Sequence, residues 1–255
     1  MIAEQLEYRE LLLQMTRRDL LLRYKQAVMG FGWAVFMPLI NTAVFSVVFT
    51  KVTTINTPVP YPVFAFCGLW VWNFFASALR FSVVSLTSNA ILVSKVYFPR
   101  EVFPISQILV CLADFAVGSV VLIALMAWYH IVPGAALLWL PAIVAIHLAF
   151  TTAIALILSM ANLFYRDVKY LFEIIITVWM FATSVLYPLN QLGRAYALVS
   201  RLNPMTSIVD SYRSVLLLNQ PPTPALATTT IVTAVLLAGA WLTFHRSESA
   251  FAENV

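Results

Sequence analysis

An all-helical integral membrane fold of six spans is predicted by three features of the sequence. Hydrophobic residues make up 62% of the 255 and charged residues 10%, whereas a soluble domain carries about 25% charged residues. Uncharged stretches recur at lengths that suit a bilayer core, which needs about 20 apolar residues per helix. Lys and Arg concentrate in alternate connecting segments. Over half of a folded surface faces its solvent, so the solvent for most of this chain is lipid.

The first 26 residues mix acids and bases and predict an interfacial amphipathic helix, with Leu6, Leu13, Leu20 and Tyr24 near one side. Its last two turns carry Arg17, Arg18, Arg23 and Lys25, which suit anionic headgroups or a cytoplasmic partner. Glu4, Glu7 and Glu10 at the start oppose a signal peptide. Ala27–Thr50 is free of charge and places the first span at 31–50. Val52–Leu79 is also uncharged, and Pro58, Pro60 and Pro62 mark a loop before a second span at 63–79. Residues 81–103 carry Lys95, Arg100 and Glu101 and are left outside the membrane. The third span, 104–129, holds one charge, Asp114.

Phe115–Tyr165 contains no Lys, Arg, Asp or Glu and is too long for one helix. Pro133-Gly134 supplies a turn before a fourth span at 137–161. A fifth span, 171–186, ends at Tyr187-Pro188, and the polar segment 190–220 follows. Its apolar part, Pro204–Leu218, is expected to dip back into the bilayer as short helices, with Asp210 and Arg213 paired at i,i+3. Residues 225–244 make the sixth span, and the chain reads as a single transmembrane domain over 1–255. With both termini cytoplasmic, eleven of the 15 Lys and Arg lie inside, leaving Lys51, Arg194, Arg201 and Arg213 outside.

Several chemistries find no support. The seven glycines never form G-x-x-x-x-G-K-[ST], so the chain carries no phosphate loop. His130, His147 and His245 are far apart, no metal-site spacing exists, and no nucleophile sits with a base. The sequence therefore offers no catalytic site of its own, and the energy for any active work comes from elsewhere. The basic residues form no patch of the kind that binds nucleic acid. Cys67 and Cys111 lie in apolar runs and read as buried thiols rather than a disulfide.

Asp114 is the clear intramembrane charge, a functional candidate or a helix-packing contact with a nearby base. Glu173 follows Lys169 at a spacing that suits a helical ion pair. Phe31, Trp33, Phe36, Trp70, Trp179 and Tyr187 either belong to an interfacial belt or face a pathway where rings stack on sugars. The loop Lys95-Val96-Tyr97-Phe98-Pro99-Arg100-Glu101 is apolar enough to dock on a partner or to lie on the membrane.

Five segments in register resemble the permeases of ABC-type polysaccharide and polyol-phosphate exporters, which move O-antigen, capsule or teichoic acid. They are Arg23-Tyr24 with Gly30-Phe31-Gly32-Trp33 and Pro38; Phe66–Phe75; Lys95–Pro104; Asn162–Val168; and Asn203-Pro204. The resemblance covers about residues 7–244. It implies a homodimer in a bacterial inner membrane with two copies of a separate ATPase subunit, which would hold ATP and Mg. It implies that residues 95–101, with Arg17 and Arg18 of the first helix, couple to that ATPase. It also implies an outer gate around Asn203, Pro204, Asp210 and Arg213, and a lipid-linked polysaccharide as substrate. A drug exporter on the same plan and an ion-coupled secondary transporter are the competing readings; the second would want another midplane carboxylate.

Overall fold

The computed structural model describes residues 8–25, 30, 32–51, 57–95, 98–188 and 202–254. All its regular elements are helices: α1 Arg9–Tyr24, α2 Gly32–Lys51, α3 Tyr61–Val83, α4 Ser85–Ser88, α5 Ala90–Lys95, α6 Val102–Trp128, a 3-10 turn Ala135–Trp139, α7 Leu140–Phe164, α8 Val168–Phe181, α9 Pro204–Leu217 and α10 Ala225–Asn254. Phe31, Val96, Tyr97, Leu6 and the segment 189–201 lie outside the described residues.

Among the described residues, four helical stretches are long and apolar enough to cross a membrane: Tyr61–Val83, Val102–Trp128, Ala135–Phe164 and Ala225–Glu248. In α2 the described apolar stretch is shorter, Phe36–Val48. Backbone chemistry sets the ends. Pro60 and Pro62 open α3 and Pro141 opens α7, where a missing N–H costs nothing. Gly30 adopts φ +49° just before α2, a conformation that glycine takes without strain.

Helix α3 is the axis of the bundle. Val63, Phe66, Cys67, Val71, Phe75, Ala78 and Leu79 are fully buried, under α2, α6, α7, α8 and α9. A second apolar cluster closes the end where α1 sits; Met15, Phe98, Phe103, Leu156, Phe244 and Phe251 bring α1, α6, α7 and α10 together. Helix α10 runs ten residues beyond the expected 244, and Phe251 is what its extra turns bury. The outward sides of α2, α6, α8 and α10 stay apolar, as Val47, Ile123, Ile174 and Val235 show.

Two expectations change. The fifth span does not continue to 186: α8 stops at Phe181, and residues 182–186 form a turn whose Thr183, Ser184, Val185 and Leu186 are buried. Fourteen residues make about 21 Å of helix, short of a hydrocarbon core of about 30 Å. The α1 stripe also differs, since Leu13 is 64% exposed and Leu21 and Leu22 face outward. The inward side holds Leu11, Leu12 and Met15, then Asp19 and Arg23, because four-residue steps let α1 track along α6.

The α3–α6 contact is tight at one point. Trp70 stacks on Phe115 with centroids 3.9 Å apart, and its indole Nε1 donates to the Phe115 carbonyl at 2.8 Å. The ring lies where a side chain at Gly118 would stand. Gly118→Ala is expected to lower stability by about 1–3 kcal/mol through overpacking, seen as an earlier thermal transition of the detergent-solubilised chain.

Candidate functional site

Three groups of polar residues interrupt the apolar bundle. The first ties α1 to the spans. Arg18 donates to Asp19 Oδ1 at 2.9 Å and to Asn89 Oδ1 at 3.1 Å. Gln107 Nε2 donates to Asp19 Oδ2 at 2.6 Å. One turn further along α1, Arg23 meets Asp114 Oδ2 at 2.7 Å, with its guanidinium 3.9 Å from the Phe81 ring centroid. The Tyr24 hydroxyl donates to the other oxygen, Oδ1. Burial, and then the bond to Asp114, push the Tyr24 pKa above its usual value, so the phenol stays a donor. Asp114 is therefore held by a base and a phenol from a different helix. A groove of about 570 Å³ beside this tie is lined by Arg18, Leu22, Phe81, Ser85 and Asn89. Arg17 is exposed.

The segment after α5 is held by α10. The Arg100 backbone N–H donates to Glu248 Oε1 at 3.0 Å, its guanidinium donates to the Glu248 carbonyl, and it lies 5.7 Å from the Phe251 ring. Glu101 is 3% exposed, with its Oε1 3.9 Å from His245 Nδ1. Phe98 turns inward onto Phe103, centroids 5.3 Å apart, so the apolar side chain expected to dock outward is spent on the chain's own core. Pro99 and Arg100 stay half-exposed.

The third group lies at the opposite end of α3. Asn203 caps α9 by accepting from Met205 N at 3.1 Å, with Pro204 at the first helical position. Its amide donates to the Ala182 carbonyl and Thr183 Oγ1 at 3.0 and 2.9 Å, and its oxygen accepts from Trp179 Nε1 at 3.0 Å. Arg213 is almost wholly buried. It donates to the Phe64 carbonyl at 3.1 Å, to the Val185 carbonyl at 2.6 Å and to the Ser184 carbonyl. Its guanidinium lies 3.6 Å over the Phe64 ring and 3.6 Å from Asp210 Oδ1, which accepts from Ser184 Oγ at 2.5 Å. The fork of Arg213 thus satisfies carbonyls of the buried turn that follows α8 and of the first turn of α3. A Cβ at Gly68 would overlap that guanidinium, which explains the glycine in this stretch of bulky rings.

The aromatic candidates separate. Trp70 and Trp72 are buried, and Trp179 is half-buried and edge-on to Trp72 and Phe75. The Tyr187 hydroxyl donates to the Phe181 carbonyl at 2.5 Å. Trp33 and Phe36 are 41% and 42% exposed. A cavity of about 260 Å³ between α2, α3 and α6 takes in Trp33, Asn41, Trp70, Asn73, Ser77 and Asp114.

Sequence reasoning paired Glu173 with Lys169. The structure pairs it with Arg80 of α3 through two bonds of 2.7 and 2.9 Å, while Lys169 lies over the Tyr170 ring. Spacing along one helix cannot report a partner on another. Glu248 and His245 gave no local signal either, because their role depends on where α10 ends.

A bundle of apolar helices tied by a few internal ion pairs defines a helical membrane protein. Residues 10–217 match the ABC-2 type transporter family, and the chain belongs to that family. An O-antigen export system permease protein of Myxococcus xanthus is 31% identical over 258 residues, covering 100% of this chain and 99% of that one. Two O-antigen export system permease proteins of Klebsiella pneumoniae are 32% and 30% identical over 205 residues, 80% of this chain and 79% of theirs.

Two outcomes follow from the polar ties. Asp114→Asn is expected to loosen α1 by roughly 1–3 kcal/mol, since Arg23 loses its charge partner in a half-buried setting; faster amide exchange across Arg9–Tyr24 is the readout. Arg213→Lys keeps the charge and loses the fork, so a melting temperature several degrees lower is expected.

Proposed function

We propose that this chain is the transmembrane subunit of an ATP-driven exporter that carries a lipid-linked polysaccharide of the O-antigen type outward across a bacterial inner membrane. The observation that carries this reading is the likeness to an O-antigen export permease along the whole of both chains. ATP hydrolysis belongs to a separate ATPase subunit with Mg, two copies serving a homodimer of this chain. The absence of a phosphate loop from the sequence fits that division of labour.

The topology proposed has six crossings, α2, α3, α6, α7, α8 with its buried turn, and α10, with both termini cytoplasmic. The distribution of Lys and Arg supports that orientation. It places α1, α4, α5 and residues 98–101 on the ATPase side. Leu13, Leu22, Arg17 and Ile91 form a mixed apolar and basic exposed surface there, suited to a protein partner. ATPase movement reaching α1 would pass to α6 through Arg23 and Asp114, and movement reaching residues 98–101 would pass to α10 through Arg100 and Glu248. On the outer side α9, joined to α3 by Arg213, would serve as the gate. The apolar outward sides of α2 and α8 suit a second copy and lipid.

Deleting the chain is expected to remove the surface polysaccharide while its lipid-linked form accumulates on the cytoplasmic leaflet, assayed by accessibility to added enzyme. A tagged chain is expected to purify in mild detergent with a stoichiometric subunit bearing the phosphate loop. Unchanged surface polysaccharide in the deletion strain would overturn the reading.

A further inference from the structure

The cavity between α2, α3 and α6 holds more polar chemistry than helix packing requires. Asn41 stands nine residues from the start of α2, Asn73 twelve from the start of α3, and Asp114 twelve from the start of α6. At 1.5 Å per residue each is about 14–21 Å from either end of its helix. Three polar side chains from three helices therefore meet at mid-span. The amides of Asn41 and Asn73 and the hydroxyl of Ser77 have no hydrogen-bond partner among the described residues. Asn41 is exposed and Asn73 and Ser77 are half-buried; at mid-span what surrounds them is hydrocarbon rather than water, where an unpaired amide costs a few kcal/mol, so these groups point to an occupant.

The chemistry of the lining selects that occupant. The carboxylate of Asp114 faces the cavity, while the base that pairs with it, Arg23, is not part of the lining. No base lines the cavity to attract a phosphate. Two amides, each donor and acceptor, and a carboxylate with lone pairs beyond those taken by Arg23 and Tyr24 suit a ligand with several hydroxyls. Trp70 has one face covered by Phe115, but Trp33 meets Phe36 edge-on at 5.9 Å and stays 41% exposed at the rim. The exposed part of its indole can meet a flat apolar ligand face. The volume, about 260 Å³, falls just below the range of about 300–1,000 Å³ for small-molecule pockets, and so takes one sugar ring rather than a longer segment.

We propose that this cavity is a saccharide subsite, where Asn41, Asn73 and Asp114 hydrogen-bond the hydroxyls of one sugar unit and Trp33 stacks on it. The proposal rests on the polysaccharide-exporter reading and adds a position for the glycan within each protomer. Because Arg23 and Tyr24 of α1 orient the Asp114 carboxylate, occupancy of the subsite and the seating of α1 are linked.

The test uses the complete exporter, permease with its ATPase subunit, reconstituted in lipid nanodiscs and in vesicles. The probe is the cell's own surface glycan, released from its lipid and added as free saccharide, with binding read by saturation-transfer NMR. Saturation is expected in the unmodified complex and is expected to be lost in Asn41→Leu/Asn73→Leu. The half-saturating concentration of lipid-linked glycan for export is expected to rise about tenfold for each hydrogen bond removed. Assembly with the ATPase subunit serves as the folding control. If the asparagine variants fail to assemble, Trp33→Leu at the exposed rim is expected to show the same loss of saturation. Export that proceeds in the unmodified complex with the same half-saturation in the asparagine double variant and in Trp33→Leu would overturn the subsite and leave the exporter reading standing. No export of the glycan by the unmodified complex would instead overturn the exporter reading.

Discussion

A charge enclosed among apolar helices must find its partner inside the protein, and the organisation of this chain follows from where it does so. Midway along α6, Asp114 is neutralised by Arg23 of α1 at 2.7 Å. Towards the outer end, Arg213 of α9 is satisfied by the carbonyls of Phe64, Ser184 and Val185 and by Asp210. Lipid offers no substitute partner for either ion, so each tie fixes a geometry as much as it adds stability. Between them stands α3, buried almost throughout, which meets the Arg23 side chain through Phe81 and the Arg213 side chain through Phe64.

The two ties differ in character, and the difference suits different work. Arg213 makes several bonds to backbone carbonyls in an almost wholly enclosed place, a rigid arrangement that pins the turn after α8 to α3. Arg23 and Asp114 are a fifth to a quarter exposed, beside a groove and a cavity. That is the arrangement expected of a joint that holds one conformation and can change it at modest cost. Helix α1 reaches the ATPase side with one end and the mid-span cavity with the other, so a movement at one is felt at the other.

Much of this architecture was legible in the sequence. Stretches without charge gave the long helices, the prolines gave several starts, and Asn203-Pro204 marked the start of α9. The pairing of Asp210 with Arg213 was readable because both lie on one helix at i,i+3. What escaped depends on contacts across helices. Glu173 chose Arg80 over Lys169, and Phe98 found Phe103 instead of a surface. The early end of α8 was hidden because the residues that hold the turn after it, Asn203 and Arg213, come some twenty to thirty positions later. The buried side of α1 was misplaced by a heptad of leucines that carries no information about the polar stripe of Asp19 and Arg23 meeting α6.

The claim on which the account turns is that Arg23 and Asp114 act as one unit joining α1 to the spans. A double-mutant cycle on the thermal unfolding of the purified chain, with Arg23→Met, Asp114→Leu and the pair together, measures this directly. The account predicts that the double variant is more stable than the sum of the single losses implies, by about 1 kcal/mol or more, because neither leftover charge remains. Strictly additive losses would mean that the two residues act independently and that α1 is held by its apolar side alone.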